Sequence, residues 1–166
     1  MAILGNIAEL DELKKIIAED TKKYTENVCK YLSQDIADEL TDEAKHSIED
    51  FYSYQPQYYL RHNNFYRSYR RDYKNRNPRF SGGVELLMDE LPDVYSGTNS
   101  DPNSVFWRVY SGYHGIASFK GHAPIMRPAP INRILNKRDE IIANQNIYVN
   151  KAEQKAEKQK YEFLFQ

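Results

Sequence analysis

From Ile7 to Tyr52 the chain contains neither glycine nor proline, and its apolar residues return at intervals of three and four. Leu10, Leu13, Ile17, Tyr24, Val28, Tyr31, Ile36, Leu40, Ala44, Ile48 and Phe51 carry the pattern. A run of this kind forms helix, and a helix this long must organise whatever packs beside it. The spacing predicts a main helix from Thr21 to Tyr54, about 50 Å long at 1.5 Å per residue, more than a small compact domain needs. Asp20-Thr21 and Thr41-Asp42-Glu43 have the side chains of helix N-caps followed by acids, so one or two breaks are expected. Residues 1–20 are accordingly set apart as an N-terminal arm or short helix, residues 21–142 as the core, and residues 143–166 as a C-terminal extension.

Pro56 ends the helical pattern. Beyond it Phe65, Arg67, Tyr69, Arg71 and Tyr73 alternate with Tyr66, Ser68, Arg70, Asp72 and Lys74, a period of two that predicts a strand over 65–74. Asn75 to Gly83, with Pro78 and the Gly82-Gly83 pair, reads as a turn into a second strand over 84–90. Residues 92–104 are rich in Gly, Pro, Asn, Asp and Ser and are expected to form a long loop suited to mobility or partner contact.

The only tryptophan, Trp107, stands in the apolar run Val105 to Tyr110, which stops at Gly112 and Gly115. This run is expected to be a third strand or a short helix, with Trp107 in the core. Pro124, Pro128 and Pro130 then bar regular helix until Ile131, because each proline fixes its own φ and biases the residue before it toward extended backbone. From there Ile131, Ile134, Leu135, Ile142, Val149, Ala152 and Ala156 predict a second long helix over 131–160. Its last third is Lys, Glu, Gln and Ala and is expected to project or to find a partner. The closing Tyr161-Glu162-Phe163-Leu164-Phe165-Gln166 either folds back on the chain's own core or is covered by another molecule.

Composition narrows the functional classes. One cysteine, Cys29, excludes an intramolecular disulfide and points to a reducing compartment. The first residues lack a charged segment followed by a long apolar core, so no signal peptide is expected, and no apolar run approaches the roughly 20 residues of a bilayer span. The four histidines include no i, i+4 pair, and no nucleophile elbow, Walker loop or dinucleotide fingerprint occurs. His114 and His122 have no carboxylate between them to complete a metal site, and Asp89, Glu90 and Asp93 read as a solvated turn. A non-enzymatic protein without a cofactor or metal is therefore expected.

Net charge is −1, but from Arg61 to Arg79 seven Lys or Arg stand against one acid, Asp72. Interleaved with tyrosines, this segment could contact phosphates and stack on bases, which gives an alternative reading as a small nucleic-acid-binding or regulatory protein using residues 61–79. The fourteen tyrosines equally suit a protein interface. Arg67, Tyr69 and Arg71, together with Tyr161, Phe163 and Phe165, are the candidate partner-binding residues.

Two blocks resemble a known family. Phe51-Tyr52-Ser53-Tyr54-Gln55-Pro56 through Tyr58-Tyr59-Leu60-Arg61, followed by Asn64-Phe65-Tyr66-Arg67-Ser68, is similar to the helix exit and strand opening of neck, or head–tail joining, proteins of long-tailed bacteriophages, also called tail-completion proteins. Gly112-Tyr113-His114-Gly115 and Pro124-Ile125-Met126-Arg127-Pro128-Ala129-Pro130 resemble that family's glycine loop and the Pro-x-Met-x-Pro segment before its last helix. The resemblance covers residues 40–142 in order; residues 1–20 and 143–166 have no counterpart, and the loop at 96–104 departs from the pattern. It implies an α+β fold with long N-terminal and C-terminal helices packed on a small, mostly antiparallel sheet. It also implies a virion structural protein, assembled in the host cytoplasm into a ring, commonly sixfold, between portal or connector and tail, with genomic DNA passing through the lumen without sequence-specific binding. Whether the position is neck or tail terminator stays open.

Overall fold

The computed structural model describes residues 7–53, 67–76, 79–87, 109–114, 125–126 and 128–164. Within them the protein is α+β, mostly helical, with a small antiparallel sheet. Helix α1 (Ile7–Phe51) is followed by strands β1 (Tyr69–Arg76) and β2 (Arg79–Leu86), the short strands β3 (Tyr113–His114) and β4 (Ile125–Met126), and helices α2 (Pro130–Ala143) and α3 (Gln145–Leu164).

The 45 residues of α1 form one helix about 68 Å long, without the breaks expected at Asp20-Thr21 and Thr41. Both threonines are helix-interior residues whose hydroxyls donate back to the preceding turn, Thr21 Oγ1 to the Ile17 carbonyl at 2.7 Å and Thr41 Oγ1 to the Ala37 carbonyl at 2.6 Å. A capping side chain that satisfies itself this way imposes no boundary, so residues 7–20 are the first turns of α1 and not a separate element. The second long helix, by contrast, is divided. Asn144 leaves helical geometry at φ −105° and ψ 22°, and its amide and side-chain nitrogens both donate to the Glu140 carbonyl, at 3.0 and 2.9 Å. Helix resumes at Gln145, with the Ile147 amide bonded to the Asn144 carbonyl at 2.9 Å.

β1 and β2 form a hairpin in which Tyr69 faces Leu86, Arg71 faces Val84, Tyr73 faces Gly82 and Arg76 faces Arg79. Both strands lie away from their predicted bounds, β1 later and β2 earlier, so the Gly82-Gly83 pair expected in a turn is inside β2. The cause is a close approach. A Cβ on Gly82 would lie 1.8 Å from the Ser33 carbonyl oxygen of α1, so only glycine lets the hairpin settle on the helix there; Gly83, on the opposite face, has open space.

α1 is the common neighbour of β1, β2, α2 and α3. Ala44, Ile48 and Phe51 form the principal core with Val109, Tyr110 and Ile134, flanked by Tyr52, Tyr69, Val84, Leu86 and Ile131. A second cluster joins Leu40 to Ile141 and Tyr148. The run expected as strand or short helix ends in helical geometry at Val109 and Tyr110, both buried, and Gly112 closes the turn at φ 80°, its amide bonded to the Val109 carbonyl at 3.0 Å. Of the remaining structural-motif positions, Pro130 starts α2 and is buried, Pro128 is exposed, and Met126 pairs with Tyr113. Pro56, Trp107, Gly115 and Pro124 lie outside the described residues.

Contrary to expectation, the Lys/Glu/Gln/Ala part of the C-terminal region does not project. α3 runs back along α1, with Ala152 and Ala156 buried because their small side chains admit a close approach. Tyr148 donates to Glu39 Oε2 at 2.6 Å, Lys155 pairs with Asp35, and the Tyr31 hydroxyl donates to Gln159 Oε1 at 2.9 Å.

Candidate functional site

The hairpin turns one face onto α1 and one toward solvent. Tyr69, Arg71 and Tyr73 are on the inner face with Leu86, Val84 and Gly82. Tyr69 packs against the principal core, and Arg71 binds Asp38 and reaches the Gln34 carbonyl at 3.4 Å while lying 5.2 Å from the Tyr73 ring centroid. The Tyr73 hydroxyl is buried without a hydrogen-bond partner among the described residues. Tyr69 and Arg71 are therefore engaged within their own chain, Arg71 while still partly exposed, and Arg67 is exposed. The alternation in the sequence reveals which residues share a face, but it does not reveal that this is the covered face.

On the outer face the charges are matched locally. Arg70 pairs with Glu85 at 2.8 Å, and Lys74 lies 3.4 Å from Asp72. With Arg71 held by Asp38, each described cation from 70 to 74 has an acidic neighbour.

Beneath the hairpin Tyr110 is fully buried and shares a 2.8 Å hydrogen bond with the Ser68 hydroxyl. Burial pushes its phenol up to about 12, and hydrogen bonding to Ser68 only partly offsets this. Burial and the Glu39 carboxylate likewise push Tyr148 up to about 12. Among the described residues no three His, Cys, Asp or Glu side chains cluster as a metal site would. Both tyrosines act as buried struts between elements.

One surface was not singled out by sequence reasoning. Every side chain from Leu10 to Lys23 is exposed, and four large apolar residues stand in water there: Leu10, Leu13, Ile16 and Ile17, each 52–56% exposed. The register of α3 on α1 places Leu164 opposite about residue 26, so α3 stops short of them. The helical spacing of these residues was visible; that their own fold leaves them uncovered was not. Tyr161 and Phe163 lie in the last turns of α3, and Phe165 lies outside the described residues.

Comparison of the chain with protein-family models, with curated proteins and with solved structures gives no match. Among the described residues no helix is long and apolar enough to cross a membrane.

Proposed function

We propose that this protein is a non-enzymatic structural subunit of a tailed-bacteriophage virion, acting in a ring at the head–tail junction between the portal or connector and the tail. The observation that carries the reading is the unfinished surface of the subunit. α1 outruns the helices packed on it, and its first turns leave Leu10, Leu13, Ile16 and Ile17 in solvent. Such groups gain most when a neighbour covers them, as in an assembly. The ordered motif pairs Phe51 to Ser68 and Gly112 to Pro130 supply the particular class of assembly through their resemblance to head–tail joining proteins. In this reading Arg67 and the terminal aromatics Tyr161, Phe163 and Phe165 meet neighbouring virion proteins.

The nucleic-acid alternative draws less support. Phosphate binding needs cations free to displace counterions, whereas Arg70, Arg71 and Lys74 already have carboxylate partners.

The test is incorporation. The polypeptide should be present in purified particles, and deleting residues 161–166 should leave the circular dichroism and melting of the subunit unchanged while reducing its incorporation. Absence from particles, together with salt-sensitive binding to an oligonucleotide, would overturn the proposal in favour of the alternative.

A further inference from the structure

Leu10, Leu13, Ile17, Tyr24 and Tyr31 are separated by three, four and seven residues, so they lie along one side of α1. Tyr31 marks that side as the one on which α3 packs, because it bonds Gln159. Tyr24 is half-buried, and every residue from Leu10 to Lys23 is exposed. The side that α3 covers thus continues without a cover for the first turns of α1. α3 runs antiparallel to α1, so the vacant continuation suits another antiparallel helix laid end to end with α3.

The sequence of the arm specifies such a helix. Its charges come in blocks: acids at Glu9, Asp11 and Glu12, bases at Lys14 and Lys15, acids at Glu19 and Asp20, bases at Lys22 and Lys23. If a second copy of the arm is laid antiparallel with the two-fold axis between Ile16 and Ile17, the acidic block at 9–12 meets Lys22 and Lys23 of the second copy, and Lys14-Lys15 lies beside its Glu19. Leu13 and Ile17 of each copy then meet around the axis, and Ile7 of the second copy begins where α3 stops. The parallel arrangement sets each block against its own sign and places Asp20 against Asp20 on the apolar side.

We infer that the first turns of α1 form a two-fold, antiparallel contact with the same segment of a second copy of this chain. The contact is isologous and closes at two copies. It uses the same exposed stripe that supports the head–tail reading but does not require that reading: ring contacts are heterologous, and self-association in solution is read separately from incorporation into particles.

The test uses the full chain. Sedimentation across a concentration series should show a dimer, and Leu13→Asp with Ile17→Asp should raise its dissociation constant more than about a hundredfold, because both side chains are central to the contact. Circular dichroism should be unchanged, since both positions are exposed in the subunit. Orientation is read by oxidation in a Cys29→Ser background. Glu9→Cys and Lys23→Cys chains should crosslink when mixed and not when alone. A monomer at every concentration, a dimer indifferent to the double substitution, or a Glu9→Cys chain that crosslinks to itself would each overturn the inference; the monomer would leave the stripe to a different protein.

Discussion

Gly82 and Gly83 are adjacent in β2, yet alanine at the two sites should have opposite effects. At Gly82 the new Cβ would stand 1.8 Å from the Ser33 carbonyl oxygen, and a retreat of about 1.6 Å is needed to reach the 3.4 Å of ordinary contact. The obstacle is backbone inside a 45-residue helix and cannot rotate away. The hairpin must therefore lift, loosening Val84 and Leu86 from the core that they flank. Overpacking of this kind costs roughly 1–3 kcal/mol, and the added loss of packing places Gly82→Ala near 3 kcal/mol. For a chain of this size that is a fall in Tm of roughly 6–12 °C. Gly83→Ala meets nothing within 4 Å and restricts the unfolded chain, so it should be neutral or stabilise by about 0.5–1 kcal/mol. Urea and thermal unfolding of both variants decide the matter. Ser33→Ala should not rescue Gly82→Ala, because the clash is with a carbonyl. Equal effects at the two glycines, or a loss below about 0.5 kcal/mol at Gly82, would refute close approach as the reason for glycine there.

Two further outcomes follow from the buried phenols. Tyr110→Phe removes the hydroxyl that bonds the Ser68 hydroxyl at 2.8 Å and the Ser68 carbonyl at 3.3 Å, and should cost about 1–2 kcal/mol in urea unfolding with an unchanged m-value. Because Tyr110 and Tyr148 are raised from 10 to about 12, the unfolded chain releases their protons first; the stability they contribute is full below about pH 10 and is lost as pH rises toward 12. Urea midpoints measured through that interval should fall, and should fall less steeply in Tyr110→Phe.

The period of apolar residues made α1 and β1 legible, because burial on one side writes itself into the sequence at three-four or two-residue spacing. Boundaries were less visible. Thr21 and Thr41 have the same chemistry whether they cap a helix or bond back within one, and only the surrounding turns decide. Gly82 looked like a turn residue because the sequence cannot show that a helix backbone will lie against it. Asn144 interrupts the C-terminal helix with a side chain no more polar than its neighbours Gln145 and Asn146, so the site of the break carried little signal. For the candidate contacts, the pairing of Arg71 with Asp38 depends on which way the hairpin faces. That choice is made by the glycine at 82 and the apolar residues at 69, 84 and 86, none of which announces a direction alone.

The interruption at Asn144 also divides the returning helices into parts of unequal cohesion. α2 contributes Ile134 and Ile141 to the two apolar clusters, whereas between Tyr148 and Lys160 the buried residues of α3 are the small Ala152 and Ala156, beside partly exposed polar pairs. With helical geometry already interrupted at Asn144, α3 can open from α1 without drawing α2 away. Native-state amide exchange should therefore show a hierarchy, with α3 and the first half of α1 exchanging through a low-energy sub-global opening, and α2 with the second half of α1 exchanging only on global unfolding.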